Sequence, residues 1–265
     1  MALALAFPNI DPVLIEVGPI VIRWYALAYI AGLALGWWLA RRLAKAPPNP
    51  MTQQQVDDFL LWATVGVVLG GRLGYVLFYN AAFYLQDPAR IFEIWQGGMS
   101  FHGGFLGVVL AAVFFARRHK LPLFAMGDLI AVVAPIGLFF GRIANFINGE
   151  LFGRPTDVPW AMVFPHGGPE PRHPSQLYEA GLEGLVLFVV MILLWWQEGV
   201  RQKPGTLFGV LLVGYGLARS VVELFREPDA HIGFLAAGVT MGQILSLPMI
   251  AIGLGFIFYA RRKSP

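Results

Sequence analysis

Seven stretches of this chain are apolar for long enough to cross a bilayer, which takes about 20 helical residues. They run over 19–41, 57–79, 99–117, 126–148, 175–196, 205–225 and 236–260. The 265 residues are 57% hydrophobic and 13% charged, about half the charge of an ordinary soluble domain. The expected fold is therefore an all-α polytopic membrane protein with seven transmembrane helices.

Basic residues set the expected orientation, because cytoplasmic loops are enriched in Lys and Arg. Arg41, Arg42 and Lys45 follow the first stretch, Arg117, Arg118 and Lys120 the third, Arg201 and Lys203 the fifth, and Arg261, Arg262 and Lys263 the last. This places the N-terminus outside and the C-terminus in the cytoplasm. The remaining arginines, Arg23, Arg72, Arg90, Arg142, Arg154, Arg172, Arg219 and Arg226, then fall in the outer halves of the spans or on the outer face. They break the trend, and an outer cavity that binds an anionic group is the simplest reason.

The loops are short except for one. The Pro- and Gly-rich run from Glu150 to Arg172 reads as a small outer (periplasmic) head. The expected organisation is an N-terminal surface arm over 1–18, transmembrane helices 1–4 over 19–148, the head over 149–174, helices 5–7 over 175–260, and a basic tail over 261–265. The apolar N-terminus lacks a basic leader, and Pro8, Asn9, Asp11 and Pro12 interrupt it, so it does not read as a cleaved signal peptide. The chain has no cysteine, which excludes disulfides and a cysteine nucleophile, and its histidines form no ligand cluster, so no metal is called for.

The stretch Gly141-Arg142-Ile143-Ala144-Asn145-Phe146-Ile147-Asn148-Gly149-Glu150-Leu151-Phe152-Gly153 ends the fourth apolar run. An arginine at the centre of a membrane helix costs roughly 2.5–3.5 kcal/mol, so a cavity-facing functional group is the default reading. Arg142, Asn145 and Gly149 fall near one helical line, with Glu150 off it at the rim. The plainer alternative has Arg142 reaching the interface while Asn145 and Asn148 cap the helix end.

Other polar groups sit on apolar helices. Gly66, Gly70 and Gly74 recur at four-residue spacing, which suits close helix packing, while Arg72 beside them faces the cavity or pairs with an acidic group. His102 opens the third span in Ser100-Phe101-His102-Gly103-Gly104-Phe105-Leu106-Gly107, either as a structural hydrogen-bonding group or as a titratable group with room for a ligand. Gln176, Glu179 and Glu183 share one face of the fifth span, where two carboxylates are expected to pair with arginines of neighbouring helices rather than work as acid and base. Tyr215, Arg219 and Glu223 form a polar stripe at four-residue spacing, with Arg226 three further on. An i,i+4 pair contributes only about 0.2–0.5 kcal/mol, too little to offset burying both charges, so the stripe is expected to line a cavity. Tyr25, in Arg23-Trp24-Tyr25, reads as an interfacial anchor or a cavity group.

The run G-R-x-A-N-F-x-N-x-E-x-x-G, with eight fixed positions in thirteen, resembles the motif of the prolipoprotein diacylglyceryl transferase family. H-G-G-x-x-G at His102, R-H-P-S-Q-L-Y-E at Arg172–Glu179 and Y-x-x-x-R-x-x-x-E-x-F-R-x-P-D from Tyr215 resemble further blocks of it, so the likeness runs from Tyr25 to Met241-Gly242-Gln243. The resemblance implies transfer of the sn-1,2-diacylglyceryl group of phosphatidylglycerol to the lipobox cysteine thiol of a prolipoprotein. A thioether forms and glycerol 1-phosphate leaves, with no cofactor. It also implies a multi-pass protein of the bacterial cytoplasmic (inner) membrane whose site opens to the outer leaflet. Its partners would be the donor lipid, the signal peptide of the acceptor and the bilayer, with no nucleic acid.

On that reading Arg142 and Arg219 are planar donor forks for phosphate oxygens. His102 is the first candidate base for the thiol and Glu150 the second. Asn145 and Asn148 orient head groups, Tyr25 positions lipid or thiol, and Glu223 holds Arg219, while Gly153, Gln176 and Tyr215 complete the binding set. The rival reading is a membrane protein that binds or flips an anionic lipid without chemistry. A flipping path needs polar groups reaching the inner face, and the inner halves of the spans carry little beyond terminal Lys and Arg.

Overall fold

The computed structural model describes residues 5–8, 10–18, 20–48, 50–228, 233, 235 and 238–262, with residue 20 described by its backbone alone. Strands β1 (Leu5–Ala6), β2 (Val13–Val17) and β3 (Ile20–Arg23) precede the first helix. The helices are α1 (Trp24–Leu43), α2 (Gln53–Phe78), the short α3 (Ala81–Gln86), α4 (Phe101–His119) and α5 (Leu123–Ile147). After the small strand β4 (Met162–Val163) come α6 (Ser175–Glu179), a π-helical segment (Ala180–Val186), α7 (Leu187–Trp195), the short α8 (Glu198–Arg201), α9 (Thr206–Val222) and α10 (Met241–Arg262).

Helix is present in all seven apolar stretches. Among the described residues, five are long and apolar enough to cross a membrane: α2, α4, α5, α10 and the continuous run Ser175–Trp195. The chain is thus a mostly helical, multi-pass membrane protein. Several expected boundaries change: the last α-helix starts at Met241 instead of 236, and α2 starts at Gln53 instead of 57. The first span does not begin at 19, because β2 and β3 form an antiparallel hairpin there and the helix starts at Trp24. Alternating Val and Ile in that stretch suit a strand as well as a helix. The sixth stops at Val222, with Glu223 as its C-cap, instead of running to 225. Residues 1–4 and Asn9 of the expected arm, 19, 236–237 of the expected spans, Asp229 of the last motif, and 263–265 of the basic tail lie outside the described residues.

The chain divides into two compact units, one of Ala40–Gly127 and one of Met1–Leu39 with Asp128–Pro265. In the first, α2 and α4 meet along their glycines, as the four-residue spacing predicts. A Cβ on Gly74 would stand 2.8 Å from the Cα of Gly103, and one on Gly70 the same distance from the Cα of Gly107. Only bare backbones can approach so closely. Arg72 does not pair with an acidic group among the described residues. It is buried, yet its partners are carbonyls: Nε donates to Ile91 O at 2.8 Å, Nη1 to Gly97 O at 2.6 Å, and Nη2 to Arg90 O at 2.6 Å and Glu93 O at 3.2 Å. It organises the loop between α3 and α4.

In the second unit, a carboxylate on one helix caps another. Asp128 of α5 accepts from the backbone amides of Gly205 at 2.8 Å and Phe208 at 2.7 Å, satisfying donors that the first turn of α9 leaves open. Further along, α9 packs on α10, where a Cβ on Gly209 would meet Gly253 O at 2.6 Å. These contacts fix the register of the two helices whose other ends carry Arg142 and Arg219.

Candidate functional site

The turn after α5 is built to hold one carboxylate. Gly149, at φ +65°, takes the left-handed conformation that commonly ends helices, and Leu151 follows at φ +58°. Leu151 pays about 1–2 kcal/mol for that backbone. Its carbonyl accepts from Ser175 Oγ at 3.1 Å, and that of Glu150 from Gln176 Nε2 at 2.6 Å, so the start of α6 pins the turn. The Glu150 side chain folds back, and its Oε1 accepts from Asn145 Nδ2 at 2.8 Å and Asn148 Nδ2 at 3.3 Å. Gly149 is therefore not on a helical line with Arg142 and Asn145, because α5 ends at Ile147. The Asn145 side chain does not cap the helix either, since it is engaged by Glu150.

Beside that turn lies a buried cluster of three carboxylates and three guanidiniums. Arg142 Nη1 stands 3.2 Å from Glu179 Oε2, and its Nη2 3.2 Å from Glu183 Oε2. Arg219 Nη1 is 2.5 Å from Glu179 Oε1 and its Nη2 2.5 Å from Glu223 Oε1. Arg226 adds Nη1 at 3.5 Å from Glu223 Oε1. The Glu179 and Glu183 side chains are fully buried and that of Arg142 is 17% exposed, so Arg142 does not reach out to the interface. Ion pairing of both carboxylates with arginines of neighbouring helices agrees with the sequence reading. Burying six charges is tolerable only because each has an opposite partner at contact distance.

Glycine again makes the geometry possible. Gly184 in the π-helical segment lets α5 approach, and Arg142 sits three residues beyond the contacting Phe139. Gly242, in the Met241-Gly242-Gln243 block, leaves room for Glu223, whose Cδ would stand 2.6 Å from a Cβ at that position. Tyr215 is in electrostatic range of Glu183, Arg142 and Arg219, and Tyr25 of Glu150 and Arg142. The Tyr25 and Tyr29 hydroxyls are 3.2 Å apart.

Several residues find other places. A Cβ on Gly153 would meet Phe225 O at 2.5 Å and His173 Cβ at 2.6 Å, so its bare Cα serves backbone packing between this segment and the end of α9. Arg154 donates to the carbonyls of Arg226 and Glu223, both at 2.9 Å, and Arg172 donates to Gly167 O at 2.8 Å and pairs with Glu227 at 3.0 Å. Arg90 pairs with Asp87 at 2.9 Å. Arg72, Arg90, Arg154 and Arg172 thus have local structural partners, Arg23 is exposed at the end of β3, and the expectation that all the remaining arginines answer to one anion narrows to Arg142, Arg219 and Arg226. His102 is exposed at the start of α4, with its ring against Phe101, and belongs to the other unit. His173, half-buried, has Nδ1 3.1 Å from the Tyr178 hydroxyl, which accepts from Trp160 Nε1 at 2.6 Å. Burial and the charge of Arg154 push the His173 imidazole below its usual range.

Residues 12–259 match the model of a family described as prolipoprotein diacylglyceryl transferase. A protein of Rhodospirillum rubrum named phosphatidylglycerol–prolipoprotein diacylglyceryl transferase is 63% identical over 267 residues, covering 100% of this chain and 97% of its own. Proteins of the same name from Paramagnetospirillum magneticum and Azospirillum brasilense are 62% and 58% identical, covering 99% and 98% of this chain and 98% of their own lengths.

Proposed function

The chain belongs to the prolipoprotein diacylglyceryl transferase family, and from that premise we propose how its residues carry out the transfer that opens lipoprotein maturation. The donor is phosphatidylglycerol and the acceptor the lipobox cysteine in the signal peptide of a prolipoprotein. The thiol sulfur forms a bond to C3 of the diacylglyceryl group while the bond from that carbon to the phosphate oxygen breaks. The thiol proton goes to a base, and glycerol 1-phosphate leaves with the electron pair of the broken bond.

The leaving phosphate gains charge in the transition state, so donors fixed around it in a dry site lower the barrier. Arg142 and Arg219 take this role. The observation that carries it is their convergence on one carboxylate, Glu179, which brings two guanidinium forks from different helices together. Glu223 holds Arg219 from four residues away. Asn145 and Asn148 orient Glu150 and the head group, with Gln176, Tyr25 and Tyr215 around them, while Gly153 contributes through packing. A thiol with an ordinary pKa near 8.5 is mostly protonated at neutral pH and gains from a base. His102 is assigned that role on its H-G-G-x-x-G block, and Glu150 is the second candidate.

Seven crossings, with the N-terminus outside, the C-terminus cytoplasmic and residues 149–174 as a periplasmic head, would open the site to the outer leaflet of the bacterial inner membrane. Support comes from helix in all seven apolar stretches and from the distribution of Lys and Arg.

The test replaces the forks and keeps the charge. Arg142→Lys and Arg219→Lys, folded in detergent, are expected to lose at least about a hundredfold in kcat/KM, the scale of removing one transition-state donor. Wild-type turnover in either variant contradicts the clamp.

A further inference from the structure

We infer that Glu179 is a positioning residue for the reaction: the shared carboxylate that holds the Arg142 and Arg219 guanidiniums together. The inference rests on the clamp reading and goes beyond it, because it concerns what keeps the clamp assembled when no phosphate is bound.

The three carboxylates of the cluster are not equivalent. Glu223 contacts Arg219 and Arg226, both from its own end of α9. Glu183 is 3.2 Å from Arg142 but 3.9 Å from Arg219. Glu179 reaches both forks, with Oε2 3.2 Å from Arg142 Nη1 and Oε1 2.5 Å from Arg219 Nη1. It therefore ties α5 to α9 through its own helix. Two guanidiniums this close repel each other, and a fully buried carboxylate between them offsets the repulsion. Each guanidinium has five N–H groups, so an Nη1 turned to Glu179 leaves further donors on the same fork for an anion.

The backbone around Glu179 is arranged to hold it still. One turn earlier, Gln176 is fixed on the carbonyl of Glu150, which sets the register of α6 against the Asn145–Glu150 turn. Immediately after it the helix widens into the π-helical segment Ala180–Val186, a geometry that is rare and frequent at functional sites. Within that segment Gly184 admits α5 to close contact. Glu179 thus stands at the junction of the clamp and the carboxylate turn.

The experiment compares Glu179→Gln and Glu179→Asp with Arg142→Lys and Arg219→Lys in purified protein. It measures kcat and KM for phosphatidylglycerol, KM for a lipobox peptide, and thermal melting in detergent. Glu179→Gln is expected to fold, to lose at least tenfold in kcat and to raise KM for the lipid while leaving KM for the peptide within twofold. Glu179→Asp is expected to fall between it and wild type. Should the Gln variant not fold, the Asp variant decides: loss of kcat beyond any loss of folded protein supports the role, and wild-type kcat overturns it. Wild-type kinetics in folded Glu179→Gln, or losses that only track the folded fraction, also overturn it. Wild-type kinetics in either Lys variant defeat the clamp reading instead, whatever Glu179 does.

Discussion

Gly184, in the π-helical segment, lies so close to Phe139 of α5 that a Cβ on it would stand 2.7 Å from the Phe139 Cβ and 2.8 Å from its Cα. A contact this tight on the backbone cannot be relieved by turning a flexible side chain. Gly184→Ala is expected to push the two helices apart, destabilise the protein by about 1–3 kcal/mol, and weaken the reach of Arg142 to Glu179 and Glu183. Melting in detergent and the transfer rate check this together. An unchanged rate would mean that the helix approach does not set the arginine.

Arg72 makes a different prediction, because its charge is satisfied by a ring of carbonyls. Arg72→Met keeps the bulk and removes the donors that hold these part-buried carbonyls together. The loop over Pro88–Gly98 should then open more often, seen as faster amide exchange or proteolytic cleavage there. Protection equal to wild type would contradict the role in organising the loop.

His173 gives a pH dependence outside the spans. Burial and Arg154 lower its folded pKa, so the unfolded chain binds a proton more readily. The stability linked to this imidazole is present above the unfolded value, near 6.5, and is lost as pH falls through the lower folded value. Melting of wild type should therefore drop more steeply below about pH 6 than melting of His173→Gln. Parallel curves for the two proteins would contradict this.

Much of the site is legible in the sequence because charges on apolar helices are costly enough to need a reason. Arg142, Glu179, Glu183, Arg219 and Glu223 announce themselves that way, and they do come together. The glycine spacing of α2 likewise gives its packing face. Other features leave weaker traces. Asp128 looks like one acid at the start of a long apolar run, and its capping of α9 depends on a contact 77 residues away in the chain. The fold-back of Glu150 depends on two left-handed residues, one of them Leu151, which carries no turn signature. The hairpin before α1 is built from β-branched residues that also suit an apolar span. Arg72 and Arg154 look from sequence like Arg142, because an arginine paired with carbonyls and one paired with carboxylates have the same one-letter code.

The central claim is that this chain transfers a diacylglyceryl group from phosphatidylglycerol to a cysteine thiol. The direct measurement incubates the purified protein in detergent with phosphatidylglycerol and a lipobox peptide, and follows the thioether product and the released glycerol phosphate by mass. Product is expected from the cysteine peptide, with one glycerol 1-phosphate per thioether, and none from the serine counterpart. Absence of product from the cysteine peptide while the protein remains folded would contradict the account.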